Sequence, residues 1–481
     1  MIDGLKPYPT YKDSGVPWLG KVPAHWEVLP GRAVFHEIND RGHPDEQMLS
    51  VTITHGVLRQ ADLLADSSRK DSSNEDKSNY KLVQAGDLVY NKMRAWQGAV
   101  GVSAYRGIVS PAYIVQRLKS AENLPRYMHF LLRTPLFASE AERWSYGITS
   151  DQWSLRAEEF KCIYFSLPPL PEQTAIVRFL DYIDRRIRRA IRARQKRIKL
   201  LEEYKQALIH QAVTGKIDVR TGRPYPAYKN SGVEWLDQVP EHWEVVPLKR
   251  LAWFKSGAGF PVHHQGDANA EIPFFKVSDM NIPGNEKYLR VCANTVSITV
   301  AQSLGATVFP AGTIVFPKVG GALLTNKRRI AINQCCIDNN MMACVARNGN
   351  RDFLFLVMSY LDLGQIAQPG PVPAISEGEV REIRVVLPSA AEQTAIVEYL
   401  DAQTAKLDAA VAATRRAIEL LREYRERLIA DVVTGKVDVR EVAAQLPEEP
   451  PENDEAEEID EEAAIAEAED EVLSEESDAE A

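Results

Sequence analysis

Asn91, Lys92 and Arg94 follow an apolar, strand-like run, with Trp96 close behind them. A side-chain amide beside a guanidinium can read adenine and guanine edges, and a neighbouring lysine suits a phosphate. The same residues would serve equally as surface polar groups at the end of a strand. A second set, Lys318, Lys327, Arg328 and Arg329, flanks a loop whose Gly320 and Gly321 permit close approach of backbone to a phosphate. Lys276 and Ser278, with Asp279, follow Pro273-Phe274-Phe275 and form a weaker third set. Ten Lys or Arg lie between Arg178 and Lys199, among them Arg185, Arg188, Arg189 and Arg192. That density suits phosphate contact or an acidic partner; it is also what a solvated helix face looks like.

Motifs of catalysis are missing. The chain has no GxxxxGK[ST] phosphate loop, no HExxH, no GxSxG and no Asn-Pro-Pro-aromatic motif of an adenine methyltransferase. Thr214-Gly215-Lys216 and Thr434-Gly435-Lys436 lack the upstream glycine of a phosphate loop and read as helix ends. His263-His264 has no carboxylate or Cys at ligand spacing, and five cysteines without CxxC spacing predict reduced thiols and no metal site. No run approaches the roughly 18 apolar residues of a membrane span, and the start has no signal-peptide layout. The expected compartment is the cytoplasm, with no membrane partner.

The net charge of -10 hides an uneven distribution. From Glu448 to Ala481 there are 18 Asp or Glu and no Lys or Arg, so the preceding 447 residues carry about +8. A basic body suits a polyanion. The acidic, low-complexity tail is predicted to be disordered and to aid solubility or to compete with DNA for basic surfaces.

These scattered residues are organised by an internal duplication. Tyr11-Lys12-Asp13-Ser14-Gly15-Val16-Pro17-Trp18-Leu19 returns at Tyr228 to Leu236, and Val22-Pro23-Ala24-His25-Trp26-Glu27-Val28 at Val239 to Val245, an offset of 217. Glu172 to Val177 returns as Glu392 to Val397, and Val213 to Arg220 as Val433 to Arg440, an offset of 220. The segments between diverge, apart from spots such as Ala85 to Lys92 beside Ala311 to Lys318. A repeated frame with unlike inserts is how two readers of different targets would share one chassis. Trp18, Trp26, Trp235 and Trp243 are expected to staple the arms to the frame, with His25 and His242 as packing or hydrogen-bonding partners.

Between Glu172 and Thr214, and between Glu392 and Thr434, there is neither Pro nor Gly. Apolar residues at Ile176, Leu180, Ile183, Ile187, Ile191, Ile198, Leu201, Tyr204 and Leu208, and at Ile396, Leu400, Leu407, Val411, Ile418, Leu421, Tyr424 and Leu428, step by three, four and seven. The spacing predicts two helices, each about 60 Å long, with a narrow coiled-coil stripe. Equal helices with one stripe each can bury it by antiparallel pairing, which would hold two readers a fixed distance apart. Oligomerisation or plain packing is the alternative.

At this point the chain resembles the specificity subunit of type I restriction–modification systems. The resemblance is carried by the twin YKxSGVxWLxxVPxHWEV, LPxxxEQTAIVxxLD and VTGKxDVR blocks, and by Asn91 to Trp96 followed by Gly107 to Tyr113. It implies a mixed α/β protein with two target recognition domains alternating with two long helices, paired as an antiparallel coiled coil in a pseudo-two-fold repeat. The segments would be an arm at 1–27, a recognition domain at 28–166, a spacer helix at 167–220, a second arm at 221–244, a second recognition domain at 245–386, a second helix at 387–440 and the acidic tail at 441–481. The resemblance further implies an asymmetric, interrupted site on double-stranded DNA, two adenine methyltransferase subunits as partners, and restriction subunits for cleavage. S-adenosylmethionine, ATP and magnesium would belong to those partners, with no cofactor in this chain. Two departures stand out. Pro317 to Gly321 occupies the place of Asn91 to Ala95, so contact residues do not transfer between domains, and the acidic tail lies outside the family pattern. A coiled-coil scaffold with sequence-blind DNA affinity, a nuclease acting alone, or a subunit serving methylation only are the rival readings.

Overall fold

A computed structural model of the chain describes residues 5–65, 77–147, 153–347, 350–367 and 372–447. The acidic stretch from 448 onward therefore lies outside the described residues. The chain forms two compact units: unit 1 joins residues 1–193 to 416–481, and unit 2 is the continuous stretch 194–415.

In unit 1 the main strands are β1 (Glu27–Pro30), β2 (Phe35–Ile38), β3 (Leu88–Asn91), β4 (Val100–Val102), β5 (Tyr113–Leu118) and β6 (Tyr164–Leu167). β1 pairs antiparallel with β6, Glu27 opposite Leu167, which closes the domain where the chain enters and leaves it. The others form an antiparallel sheet in the order β2-β5-β3-β4. Successive side chains of a strand point to opposite faces, and here both faces are covered. Leu88, Tyr90 and Ile114 enter the main core, while Val89 and Val115 pack with Leu49, Val51 and Val57 on the other side.

Unit 2 has β7 (Glu244–Pro247), β8 (Ala252–Ser256), β9 (Tyr288–Leu289), β10 (Ile314–Pro317), β11 (Arg329–Ala331), β12 (Met341–Ala346) and β13 (Arg384–Leu387). β7 pairs antiparallel with β13 as β1 does with β6. The central sheet runs β8-β12-β10-β11-β9, with β9 parallel to β11. The same alternation appears, with Ile314, Phe316, Met342 and Cys344 on one face and Val315, Met341, Ala343 and Val345 on the other.

The two long helices are α1 (Leu170–Val213) and α2 (Ala390–Val433), each 44 residues. Thr214 and Thr434 follow them, and Gly215 and Gly435 end them at φ +75° and +78°. Lys216 N donates back to Gln211 O (2.9 Å) and Lys436 N to Asp431 O (2.8 Å), the bond that a left-handed glycine makes possible. Within unit 1, Ile176 and Leu180 of α1 share a core with Leu428 and Val432 of α2, and buried Asp184 takes Arg425 and Arg188. Within unit 2, Leu208 and Ala212 share a core with Ile396 and Leu400, Lys205 meets Asp408 at 2.5 Å and Arg415 meets Glu202 at 3.1 Å. Tyr204, expected in the apolar stripe, is 58% exposed.

One cluster of side chains occurs in each unit. Glu172, in the first turn of α1, is buried and accepts from His25 Nε2 (2.7 Å) and Trp26 Nε1 (2.8 Å), with Arg440 at 3.9 Å held by Asp438 and lying over the Tyr8 ring. Glu392, in the first turn of α2, accepts from His242 Nε2 (2.8 Å), Trp243 Nε1 (3.3 Å), Tyr225 Oη (3.4 Å) and Arg220 (3.3 Å), with Asp218 holding the arginine. The adjacent glutamines repeat too. Gln173 Nε2 donates to Pro168 O and Gln393 Nε2 to Pro388 O, while their Oε1 atoms accept Leu124 N and Asn350 N at helix starts. Gly435 lies against Pro23 and Trp26, and Gly215 against Pro240 and Trp243; a Cβ on either would come within 2.5 Å of proline Cδ. The repeated sequence blocks are therefore the parts of one fastening.

The expected disorder of 441–447 is not found. Arg440–Gln445 is helical, Ala443 is buried, and Val442 and Leu446 pack on the core of unit 1. Three apolar residues at helical spacing next to an open core are enough to order the segment. Burial alone would raise the Glu392 carboxyl, yet bonds from His242, Ser389 and Trp243 hold it down to about 2. An unfolded glutamate titrates near 4.3, so this stabilisation is complete at neutral pH and is lost as the pH falls through about 4 towards 2. Glu392→Gln is expected to cost unit 2 about 2 kcal/mol at pH 7, with the gap to wild type closing below about pH 4, as read by urea unfolding at each pH.

Candidate nucleic-acid interface

In unit 1 the strand β3 ends at Asn91, and the chain turns at once into a short helix, Ala95–Gln97, that caps at left-handed Gly98. Asn91, Lys92, Arg94 and Trp96 thus sit on one turn. Asn91 Oδ1 accepts Met93 N (3.0 Å), and Trp96 Nε1 donates to Met93 O (3.0 Å). Arg94 is exposed, and among the described residues no hydrogen bond or ion pair of its guanidinium is found. Lys92 lines a depression of 510 Å³ together with Met93, Ile114, Tyr146, Ser154 and Arg156.

Three of the residues around this turn were not among those expected. Trp153 meets Trp96 edge-on, ring centroids 5.6 Å apart, and exposed Arg156 lies 4.9 Å over the half-exposed ring of Tyr146, whose hydroxyl donates to Glu159 (2.7 Å). A guanidinium held over an aromatic ring is preorganised for a phosphate or a base edge. The link is a backbone bond, Leu155 N to Lys92 O at 2.8 Å. Tyr146, Trp153 and Arg156 lie about fifty residues or more beyond the turn, so only the density of aromatic and basic residues there could have flagged them.

Unit 2 repeats the frame of that turn and changes its side chains. Ile375 N donates to Lys318 O (2.9 Å) as Leu155 does to Lys92. Lys318 Nζ reaches Ser256 Oγ (3.0 Å). Gly320 stands at φ +71°, with open space where a Cβ would point. Lys276 Nζ donates to Gln265 Oε1 (3.1 Å), and its backbone N–H is taken by the buried Asp279 carboxylate (2.7 Å), whose pKa burial raises. Ser278 is exposed beside it. Lys327 Nζ contacts Asn281 Oδ1, which brings that lysine to the same turn.

Two of the expected contact residues face inward. Arg328 is 3% exposed, donates to the carbonyls of Met358 (3.1 Å), Leu361 (3.1 Å) and Lys327 (3.0 Å), and burial lowers its pKa to about 10. Its work is to satisfy the carbonyl ends of the neighbouring helix, and its burial keeps the guanidinium from the surface. Arg329, half-buried with its pKa lowered by desolvation, donates to the carbonyls of Arg328 (2.9 Å) and Met280 (3.0 Å). Arg185, Arg188, Arg189 and Arg192 all lie on the unit 1 part of α1, Arg188 against Asp184. Among the described residues no His, Cys, Asp and Glu group could hold a metal, and no helix is long and apolar enough to cross a membrane.

With this geometry in place the comparisons are specific. The family model for the type I restriction modification DNA specificity domain matches residues 51–200 and 240–419, more than half of the chain, and the chain belongs to that family. It is 22% identical over 445 residues to a putative type I restriction enzyme MjaX specificity subunit of Methanocaldococcus jannaschii, covering 88% of this chain and 96% of that one. It is also 22% identical to the MjaVIII specificity subunit of the same organism, over 58% of this chain and 64% of that one. A solved structure from a study of assembly and conformational transition in a type I R-M system matches with a TM-score of 0.63 at 17% identity, covering 86% of this chain and 98% of that one. The chain is thus a specificity subunit, a DNA-recognition role without catalysis of its own.

Arg328→Ala is expected to destabilise unit 2 by roughly 2–4 kcal/mol, since it strands buried carbonyls. Arg328→Ala should also leave the DNA affinity of the folded fraction within about twofold. Thermal unfolding and duplex binding on the same sample check both.

Proposed function

We propose that this chain reads a bipartite, asymmetric site on double-stranded DNA, one half per unit, and directs partner subunits to methylate adenine or to cleave unmodified duplex. The supporting observation is that one fastening, built on Glu172 and again on Glu392, carries two sheets of like frame whose outward side chains differ. Unlike readers on a shared frame suit unlike half-sites. Arg94, with Arg156 on Tyr146, would contact the first half. Lys318, Lys276, Ser278 and Lys327, grouped around turns next to a glycine-open loop, would contact the second. α1 and α2 are assigned as an antiparallel coiled-coil spacer with a pseudo-two-fold relation between the halves. Leu200 and Leu420 stand at the same place in the repeat, 55% and 59% exposed, and suit two copies of one methyltransferase partner. S-adenosylmethionine, ATP and magnesium would be held by those partners and by the restriction subunits.

Mapping N6-methyladenine genome-wide with and without this gene tests the reading: the expected result is loss of one interrupted motif, and an unchanged map overturns it. Arg94→Ala and Arg156→Ala are each expected to weaken specific binding by about 1–3 kcal/mol and to relax preference in one half of the motif only. Exchange of residues 28–166 for a relative's segment should change that same half. A change in both halves would refute the division of labour.

A further inference from the structure

A hairpin of strands Leu49–Thr52 and Gly56–Arg59 brings the residues of its tip, Ile53, Thr54 and His55, beside the turn that carries Arg94 and Trp96. The reversal is tight. Thr52 and Gly56 face each other across the ladder, and Gly56 stands at φ +78°, the left-handed position that closes a three-residue loop. Thr52 Oγ1 accepts His55 N (2.9 Å), and the Thr54 hydroxyl lies 2.7 Å from His55 Nδ1. Below the tip, Val51 and Val57 are buried in the core on that side of the sheet.

One side chain fastens this tip to the turn. Arg133, which follows the helix Pro125–Leu132, donates from Nη2 to Ile53 O (3.0 Å) and Thr54 O (2.6 Å). Its Nη1 donates to Val100 O (2.8 Å) in β4, two residues after the Gly98 that ends the short helix of the turn. A Cβ on Gly98 would lie 3.9 Å from both Ile53 Cγ2 and Ile53 O, so tip and turn are neighbours. Further along β4, Gly101 lies so close to the hairpin that a Cβ would come within 3.2 Å of Gly56 Cα.

A guanidinium is thus spent on the backbone of a loop whose side chains face outward. Ile53 is 42% exposed, and Thr54 is exposed beside it. The part of an isoleucine that stands in water contributes nothing to folding. Laid against the 5-methyl group of a thymine in the major groove, the same surface would be buried. A neighbouring hydroxyl can donate to or accept from the next base edge.

We infer that Ile53 and Thr54 form a second reading element of unit 1, in which Ile53 selects an A·T pair by its thymine methyl. Arg133 is then a positioning residue that sets the tip and touches no DNA. The inference rests on the proposed reading of unit 1 as the reader of one half-site.

The test selects duplexes from a randomised pool with the full chain, as wild type and as Ile53→Ala, Arg94→Ala and Arg133→Ala, each matched for folded fraction by thermal unfolding. Wild type is expected to return an interrupted motif. Ile53→Ala should keep every position of it except one A·T pair in one half, where preference falls about fourfold, the worth of one buried methyl contact. Arg94→Ala should weaken a different pair of that same half. A duplex with uracil in place of that thymine isolates the methyl group. Wild type should bind it about fourfold more weakly than the thymine duplex, while Ile53→Ala should bind the two alike. Arg133→Ala should lose the thymine–uracil discrimination too, yet bind the uracil duplex as tightly as wild type does. An Ile53→Ala motif identical to that of wild type, or a thymine–uracil ratio that Ile53→Ala leaves unchanged, overturns the inference. An unchanged ratio in Arg133→Ala overturns the positioning role. A wild-type chain that selects no motif overturns the recognition reading itself, an outcome distinct from a motif that Ile53→Ala leaves intact.

Discussion

A carboxylate buried at the start of a helix must be met by donors, because an ionised group taken out of water without partners is prohibitively costly. Glu172 and Glu392 are such groups, and each organises its unit. An arm supplies His and Trp, the end of a long helix and the segment after it supply an Arg held by Asp, and a Tyr closes the ring. The glycine that ends each helix is bare because proline and tryptophan of the arm press on it. Loss of any partner leaves the charge exposed to a dry surrounding, so the motif tolerates little drift. The inserts between β1 and β6, and between β7 and β13, answer to no such demand. They keep only the backbone frame of a sheet and one turn, and their outward side chains are free to differ.

The same residue type does opposite work on the two sides of that boundary. Arg328 and Arg329 turn inward to hold carbonyls at the end of a helix and under a turn, where guanidinium geometry matters more than charge. Arg94 and Arg156 turn outward, one on a tight turn and one over a tyrosine ring. The cations that the sheets present to water are therefore fewer than the basic count of the sequence suggests.

Much of this was legible beforehand, for a physical reason. The twin blocks repeat because their His, Trp, Pro and Arg residues meet the buried glutamate or the helix end it serves, and the long helices show because a proline- and glycine-free stretch with a single stripe has few other options. The first long helix is Leu170–Val213, spanning all but the last residue of the proline- and glycine-free stretch from Glu172 to Thr214 and lying inside the expected segment 167–220. What was not legible depends on direction. Nothing in a run of Lys327, Arg328 and Arg329 says which guanidinium faces the core. Tyr146 and Arg156 join the turn at Lys92 through one backbone bond that no pattern announces. The acidity of 441–481 masked Val442, Ala443 and Leu446, whose apolar spacing is real but brief.

Unit 1 is sewn shut with thread that follows unit 2 in the chain. Lys436, Asp438, Arg440 and Leu446 take in unit 1 the places that a contiguous stretch takes in unit 2. On the ribosome the first 193 residues emerge early yet lack those parts, while unit 2 has all of its own by residue 415. The usual order of domain maturation, first made and first folded, is thereby reversed. The later domain can settle while the earlier one waits, its glutamate and arm unsatisfied, until residues 436–446 have been made. A premature stop near residue 430 would accordingly do its harm in unit 1, more than two hundred residues before the lesion, and spare unit 2.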